Sequence, residues 1–91
     1  MDSSINYPYG IPFFSDQKFI TVYFQNNDKY LYTIYFVKNK KVENLAGILF
    51  AGENKKYNFP ENSIVAIILE NKPKEVQTYI KLKDGWTYTY P

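Results

Sequence analysis

The segment Trp86-Thr87-Tyr88-Thr89-Tyr90 alternates aromatic rings with threonines. Successive side chains of an extended strand point to opposite faces, so the three rings share one face and the two threonines share the other. Tyr and Trp combine a flat apolar ring with a polar group that forms hydrogen bonds. A row of such rings can stack on sugar rings, and it can equally form the contact surface for another protein, where Tyr and Trp are enriched.

Two predicted turns supply side chains that could bind hydroxyl groups beside these rings. One is Asn26-Asn27-Asp28, and the other contains Asp84, directly before the aromatic segment. We expect both turns at one edge of the sheet. The turn at 26–28 could instead offer oxygen ligands to Ca²⁺, but it lacks the EF-hand spacing and is typical of an ordinary turn, so no metal site is predicted. The predicted ligand-binding residues are Trp86, Tyr88, Tyr90, Tyr32, Asn27, Asp28 and Asp84.

The residue types that most enzymes need are missing from this chain. Its 91 residues include no Cys and no His, and its eleven basic residues are all Lys. A serine nucleophile would lack its histidine, and the acidic residues fall mainly in predicted turns or at strand ends. The four glycines are too scattered to form a phosphate-binding loop. We therefore predict that the protein is not an enzyme and uses no cofactor.

Charge and hydropathy argue against nucleic-acid and membrane partners. The net charge is only +2, and Lys lacks the planar fork with which Arg reads guanine or clamps phosphate. A weaker alternative is a single-strand binder that stacks bases on Tyr and Phe beside Lys. The longest apolar run, Ile64–Leu69, falls far short of the roughly 20 residues of a membrane span. Because the N-terminal sequence lacks an apolar signal region, we expect a cytoplasmic protein or one exported without a cleaved signal.

The elements that must position these residues have the periodicity of β-strands. The segment 63–70 is apolar on both faces, which is typical of a central strand. Gly47 predicts a bulge or break in the weaker segment 42–51, where a short helix is a less favoured alternative. Hairpins are predicted over 18–37 and at the Asp-Gly turn of 83–85. The predicted strands are 18–25, 30–37, 42–51, 55–59, 63–70, 75–82 and 86–90.

About seven short strands, with turn signals every 8–12 residues or so, predict an all-β fold. We expect a small antiparallel β-sandwich, with a small β-barrel as the alternative. Residues 18–91 form the single β domain. Residues 1–17 form an irregular N-terminal segment with two prolines and four aromatic residues, which packs on the domain or docks on a partner subunit. The aromatic residues of this segment are Tyr7, Tyr9, Phe13 and Phe14.

The resulting functional hypothesis is a non-catalytic, lectin-like β-sandwich that binds carbohydrate through an aromatic face. The alternative is a protein-interaction or inhibitor domain, of viral, phage or structural type, that uses the same face as an interface. The partner is therefore a glycan or a protein. A homodimer is the expected companion, because two weak sites together raise avidity and because association covers exposed edge strands.

Overall fold

The structure of the protein, a computed structural model, describes residues 4–11, 17–70 and 76–91. These residues form eight β-strands and no helix. The first strand is only two residues long, and the others have four to nine residues. The strands are β1 (Ile5–Asn6), β2 (Phe19–Asn26), β3 (Tyr32–Lys38), β4 (Lys41–Leu49), β5 (Asn54–Pro60), β6 (Ile64–Leu69), β7 (Val76–Lys81) and β8 (Thr87–Tyr90).

The strands form two four-stranded sheets. Sheet I has the order β1-β5-β2-β8, and sheet II has the order β4-β3-β6-β7. Pairing is antiparallel throughout sheet II, whereas β1 runs parallel to β5 and β8 runs parallel to β2 in sheet I. The all-β sandwich predicted from the sequence is confirmed, and the strands lie in two separate sheets rather than in a closed barrel.

The core lies between the two sheets and is rich in aromatic rings. Phe24 of β2 meets Tyr57 and Phe59 of β5 edge-on, with ring centroids 5.7 and 6.2 Å apart. Phe36 of β3 reaches across from sheet II to Phe59 at 5.6 Å. Such edge-to-face pairs add to the hydrophobic stabilisation that burial provides. The buried core residues are Val22, Phe24, Tyr32, Ile34, Ala46, Leu49, Tyr57, Phe59, Val65, Ile67 and Leu82.

The hairpin predicted over residues 18–37 is wrong, because β2 and β3 lie in different sheets. The reason is visible at Asn26, whose side chain is fully buried. The two hydrogens of its Nδ2 are shared among the carbonyl oxygens of Tyr30, Leu49 and Phe50, which lie at 2.9, 3.0 and 3.1 Å. These bonds stabilise a corner at which the chain crosses from sheet I to sheet II instead of folding back beside β2.

The Asp-Gly hairpin predicted at 83–85 is also wrong. β7 belongs to sheet II, while β8 belongs to sheet I and runs parallel to β2. Thr21 of β2 holds this turn, since its N–H donates to Asp84 Oδ1 and its carbonyl accepts from the N–H of Gly85. The turn residues bind another strand, so the chain after the turn pairs with β2 rather than with β7.

Other features of the second sheet match the sequence analysis. The central position of 63–70 is confirmed, because β6 lies between β3 and β7. The short helix considered for residues 42–50 is wrong, since Lys41–Leu49 is a strand. The predicted irregularity beside Gly47 is confirmed: Ile34 pairs with Gly47 and Tyr35 pairs with Leu45, which leaves one extra residue in β4.

Residues 4–11 contact both sheets. β1 pairs with β5 at the edge of sheet I. Three residues later, the N–H of Tyr9 donates to the carbonyl of Ala46 in β4, the edge strand of sheet II. The chain therefore passes from one sheet to the other along one side of the sandwich. Phe13 and Phe14 lie outside the described residues.

Candidate functional site at the outer face of sheet I

The residues predicted to bind a ligand lie along β8, the edge strand of sheet I, and around its two ends. The turn containing Asp84 bonds to Thr21, early in β2. At the other end, the N–H of Asn27 donates to the carbonyl of Tyr90. Five residue steps of an extended strand separate Thr21 from Asn26, which is roughly 17 Å. The two turns thus share an edge of the sheet but lie at opposite ends of it.

At the Asn27 end, the structure brings Asp28, Tyr32 and Tyr90 together. The Tyr32 hydroxyl donates to Asp28 Oδ2 at 2.9 Å, and the N–H of Lys29 donates to Asp28 Oδ1 at 2.7 Å. Burial, with the nearby Asp28 carboxylate, raises the pKa of Tyr32 to about 12. Both oxygens of Asp28 are therefore engaged in organising the turn. Within the described ranges, no group of three or more acidic side chains could hold a metal ion.

The aromatic segment of β8 lies mainly against the core. Tyr88 packs on Phe24 with ring centroids 5.6 Å apart, and Tyr90 packs on Tyr32 at 5.4 Å. Burial, with smaller contributions from Tyr88 and Tyr32, raises the pKa of Tyr90 to about 12. Trp86 precedes the strand and is 51% exposed, and the ammonium group of Lys83 lies 4.9 Å from the centroid of its ring. Trp86 is thus the one ring of the segment with a large free surface.

The threonines between these rings belong to a different surface, on the outside of sheet I. Val22 and Phe24 of β2 are fully buried, so the alternating residues of that strand point away from the core. Tyr23 lies there in register between Lys56 of β5 and Thr87 of β8. We call this surface the Tyr23 face. Its residues are Ile5, Thr21, Tyr23, Gln25, Asn54, Lys56, Asn58, Thr87 and Thr89.

Hydrogen bonds between neighbouring strands order the polar groups of the Tyr23 face. The Thr21 hydroxyl donates to Asn58 Oδ1 at 3.0 Å, and the Thr89 hydroxyl donates to Gln25 Oε1 at 3.3 Å. Each bond fixes the orientation of an amide group and leaves its NH₂ group out of the bond. The face therefore presents oriented amides on both sides of the Tyr23 ring, which is 38% exposed.

A shallow cleft of about 520 Å³ adjoins the Tyr23 ring. Asn6, Gln25 and Asn54 are among the polar side chains that line it. The ammonium group of Lys55 is bound to the carbonyl of Ile48 and lies 3.6 Å from Glu53. The cleft thus combines the Tyr23 ring with amide groups and with the charged residues Glu53, Lys55 and Lys56.

The sequence shows the alternation that produces the Tyr23 face, but it does not show that this face is the exposed one. Period-two alternation separates Thr21 and Tyr23 from Val22 and Phe24, yet it does not say which set faces the core. Both sets contain an aromatic ring and a β-branched residue. Which set faces the core depends on how the two sheets pack, and the sequence of one strand does not determine that packing.

The chain matches no protein-family model, no curated protein and no solved structure. In the part of the chain that the structure describes, no helix has the length and hydrophobicity that crossing a membrane requires.

Proposed function

We propose that the protein is a non-catalytic carbohydrate-binding β-sandwich whose site is the Tyr23 face. The observation that carries the proposal is the half-exposed Tyr23 ring, which lies in register between Lys56 and Thr87 and has hydroxyl and amide side chains of three strands around it. A sugar ring has an apolar C–H surface and a rim of hydroxyl groups. The Tyr23 face offers the matching pair, a ring for stacking and donors and acceptors around it.

Strand-borne side chains favour such binding because little freedom is lost when a ligand arrives. Thr21, Asn58, Gln25 and Thr89 are already held by mutual hydrogen bonds. Ordering costs are among the main terms that oppose association. The surface is nevertheless open, so we expect weak binding with a Kd of about 0.1–1 mM for a single site, or roughly −4 to −5.5 kcal/mol. Because Lys56 is the one charged residue of the face, neutral glycans are the expected class.

In this proposal, the residues predicted from the sequence do not form the Tyr23 face. They pack beneath it in the core or hold the ends of β8. Tyr88 and Tyr90 pack inward, and this packing holds Thr87 and Thr89 outward. Asp84 fixes the start of β8 against Thr21. Trp86 borders the face, since its carbonyl accepts the N–H of Tyr23 at 2.9 Å. The single tryptophan is therefore placed to report binding through its fluorescence.

A glycan-array screen of the labelled protein tests the proposal, with two tyrosine variants beside the wild type. Tyr23 and Tyr30 are both 38% exposed, but Tyr30 lies in the turn before β3 and off the Tyr23 face. Binding to a coherent group of glycans that is lost in Tyr23→Ala and kept in Tyr30→Ala supports the proposal. A blank array from the folded wild type, or equal loss in both variants, contradicts it.

The second candidate is a protein-interaction domain. The observation that favours it is the position of β8, which pairs with β2 on one side and forms the edge of sheet I. An extended segment of a partner could add to this edge and contact the exposed ring of Trp86. Capture of a specific partner that depends on Trp86 but not on Tyr23, together with a blank glycan array, would favour this candidate.

A further inference from the structure

The outer face of sheet II is apolar, in contrast to the polar outer face of sheet I. Val65 and Ile67 of β6 belong to the core cluster between the sheets, so Ile64, Ala66 and Ile68 point to the other side, although Ala66 itself has no exposed surface. Residues paired with them lie on the same side of the sheet. These paired residues, together with Ile64, Ala66 and Ile68, form a surface that crosses all four strands of sheet II. We call this surface the apolar face.

The strand register places large apolar side chains across the middle of the apolar face. Tyr35 of β3 and Tyr79 of β7 flank Ala66, and Leu45 of β4 lies beyond Tyr35. At one end, Lys81 pairs with Ile64. Tyr79 is 46% exposed and Ile64 is 39% exposed, so the surface reaches solvent.

The chemistry of this face departs from that of a solvated sheet. An antiparallel sheet with one free face normally places polar residues on it. Among the described residues that the register places here, Lys81 is the charged one, and it sits on the edge strand β7 where its ammonium group can remain in water. Contiguous apolar surface of this extent is typical of an interaction site.

The area of the apolar face fits a small but specific interface. Four strands spaced about 4.8 Å apart, with about six residues each at about 3.4 Å, give a footprint of roughly 19 by 20 Å. With side-chain relief this corresponds to roughly 500–600 Å² of accessible surface. Two such faces together bury about 1,000–1,200 Å², which reaches the lower limit of specific protein interfaces.

We propose that the chain forms a symmetric homodimer in which the apolar faces of two copies pack against each other. A flat apolar surface with almost no charge is best covered by another apolar, uncharged surface. The same face of a second copy is such a surface. A two-fold axis makes one patch complementary to itself. Sheets that pack face to face lie about 10 Å apart, so the side chains of the two copies can interdigitate as in a sandwich core.

The dimer has a functional consequence that rests on the proposed carbohydrate binding. Packing the two copies of sheet II together directs the two Tyr23 faces outward in opposite directions. Three sheet spacings, or about 30 Å, separate them. The dimer would therefore bridge two glycan-bearing surfaces rather than engage both sites on one surface.

Analytical ultracentrifugation over a wide range of protein concentration tests the dimer, with two matched isoleucine variants. Ile64 on the apolar face is 39% exposed and Ile5 on sheet I is 41% exposed. The wild type and Ile5→Lys should approach twice the chain mass of 10.8 kDa as concentration rises. Ile64→Lys should stay at the monomer mass, with its dimerisation Kd raised at least about 100-fold, because it removes an apolar contact and adds a second positive charge beside Lys81.

A wild type that remains monomeric at high concentration, or equal effects of both substitutions, would overturn the proposal. Circular dichroism verifies folding of the variants, and Tyr79→Glu on the edge strand repeats the test if Ile64→Lys does not fold. Glycan binding is measured separately on the monomeric variant. Retained binding per site, with bridging of glycan-coated beads lost, separates a failure of the dimer from a failure of carbohydrate recognition.

Discussion

Gly47 of β4 and Tyr57 of β5 join the two sheets by a contact that only glycine permits. A Cβ atom added at position 47 would overlap the phenol oxygen of Tyr57. Tyr57 is almost fully buried in the core. The irregular part of β4 is therefore shaped around the end of a side chain from the opposite sheet.

Replacement of Gly47 by alanine should destabilise the sandwich. The added methyl group must displace a buried ring that is packed on both sides, and overpacking of this kind costs about 1–3 kcal/mol. Denaturant unfolding at pH 7, followed by circular dichroism, measures the change. The double variant with Tyr57→Phe removes the overlapping oxygen, so its loss should be smaller than the sum of the two single losses. Unchanged stability of Gly47→Ala would show that the contact is not as close as described.

Substitution of Asn26 by alanine should weaken the corner between β2 and β3. The amide donates to three backbone carbonyls and its Oδ1 accepts the N–H of Asp28. Leaving such buried groups without a partner costs about 1–3 kcal/mol each, although water and relaxation recover part of this. We expect a loss of about 2–4 kcal/mol in the free energy of unfolding. The neighbouring Asn27 side chain is exposed, so Asn27→Ala serves as the control and should cost less than about 0.5 kcal/mol.

Stability should fall in alkaline solution as buried tyrosines ionise. Burial raises the pKa of Tyr32, Tyr57 and Tyr90 to about 12 in the folded protein, whereas an unfolded tyrosine ionises near 10. Between these values the folded state binds more protons than the unfolded state, so the free energy of unfolding decreases as pH rises. The contribution is complete below about pH 10 and is lost by about pH 12.

Denaturant titrations at a series of pH values between 8 and 12 measure this loss, and Tyr90→Phe provides the control. Phenylalanine keeps the packing of the ring but has no ionisable group, so the decrease above about pH 10 should become shallower in this variant. Identical slopes for wild type and variant would show that Tyr90 titrates equally in both states.

The positions of the strands could be predicted from the sequence, whereas several of their pairings could not. Alternation and turn residues locate β2 to β8, because they depend on local geometry, but not the two-residue β1, which lies in the segment predicted to be irregular. A turn sequence does not reveal whether the chain folds back or crosses over. Asn39 and Lys40 have φ values of 53° and 65° and join β3 to β4 as a tight hairpin. The similarly polar turn after Asn26 crosses to the other sheet, because Asn26 binds carbonyls there.

The candidate site was predicted only in part, for a related reason. The alternation of Trp86, Tyr88 and Tyr90 with threonines is visible in the sequence, but the direction of each face depends on sheet packing. The structure turns Tyr88 and Tyr90 toward the core and Thr87 and Thr89 toward solvent beside Tyr23. Tyr23 comes from a strand that is distant in sequence and parallel to β8, so no local pattern could have joined them.

The most direct test of carbohydrate binding by the Tyr23 face is to titrate the isotope-labelled protein with neutral oligosaccharides while following its backbone amide signals by NMR. We expect fast-exchange shifts that cluster on β2, β5 and β8 around Tyr23 for at least one class of sugar. Tyr23→Ala should abolish these shifts, and Tyr30→Ala should retain them. The absence of shifts with every sugar at tens of millimolar, or shifts that cluster on sheet II instead, would contradict carbohydrate binding by the Tyr23 face.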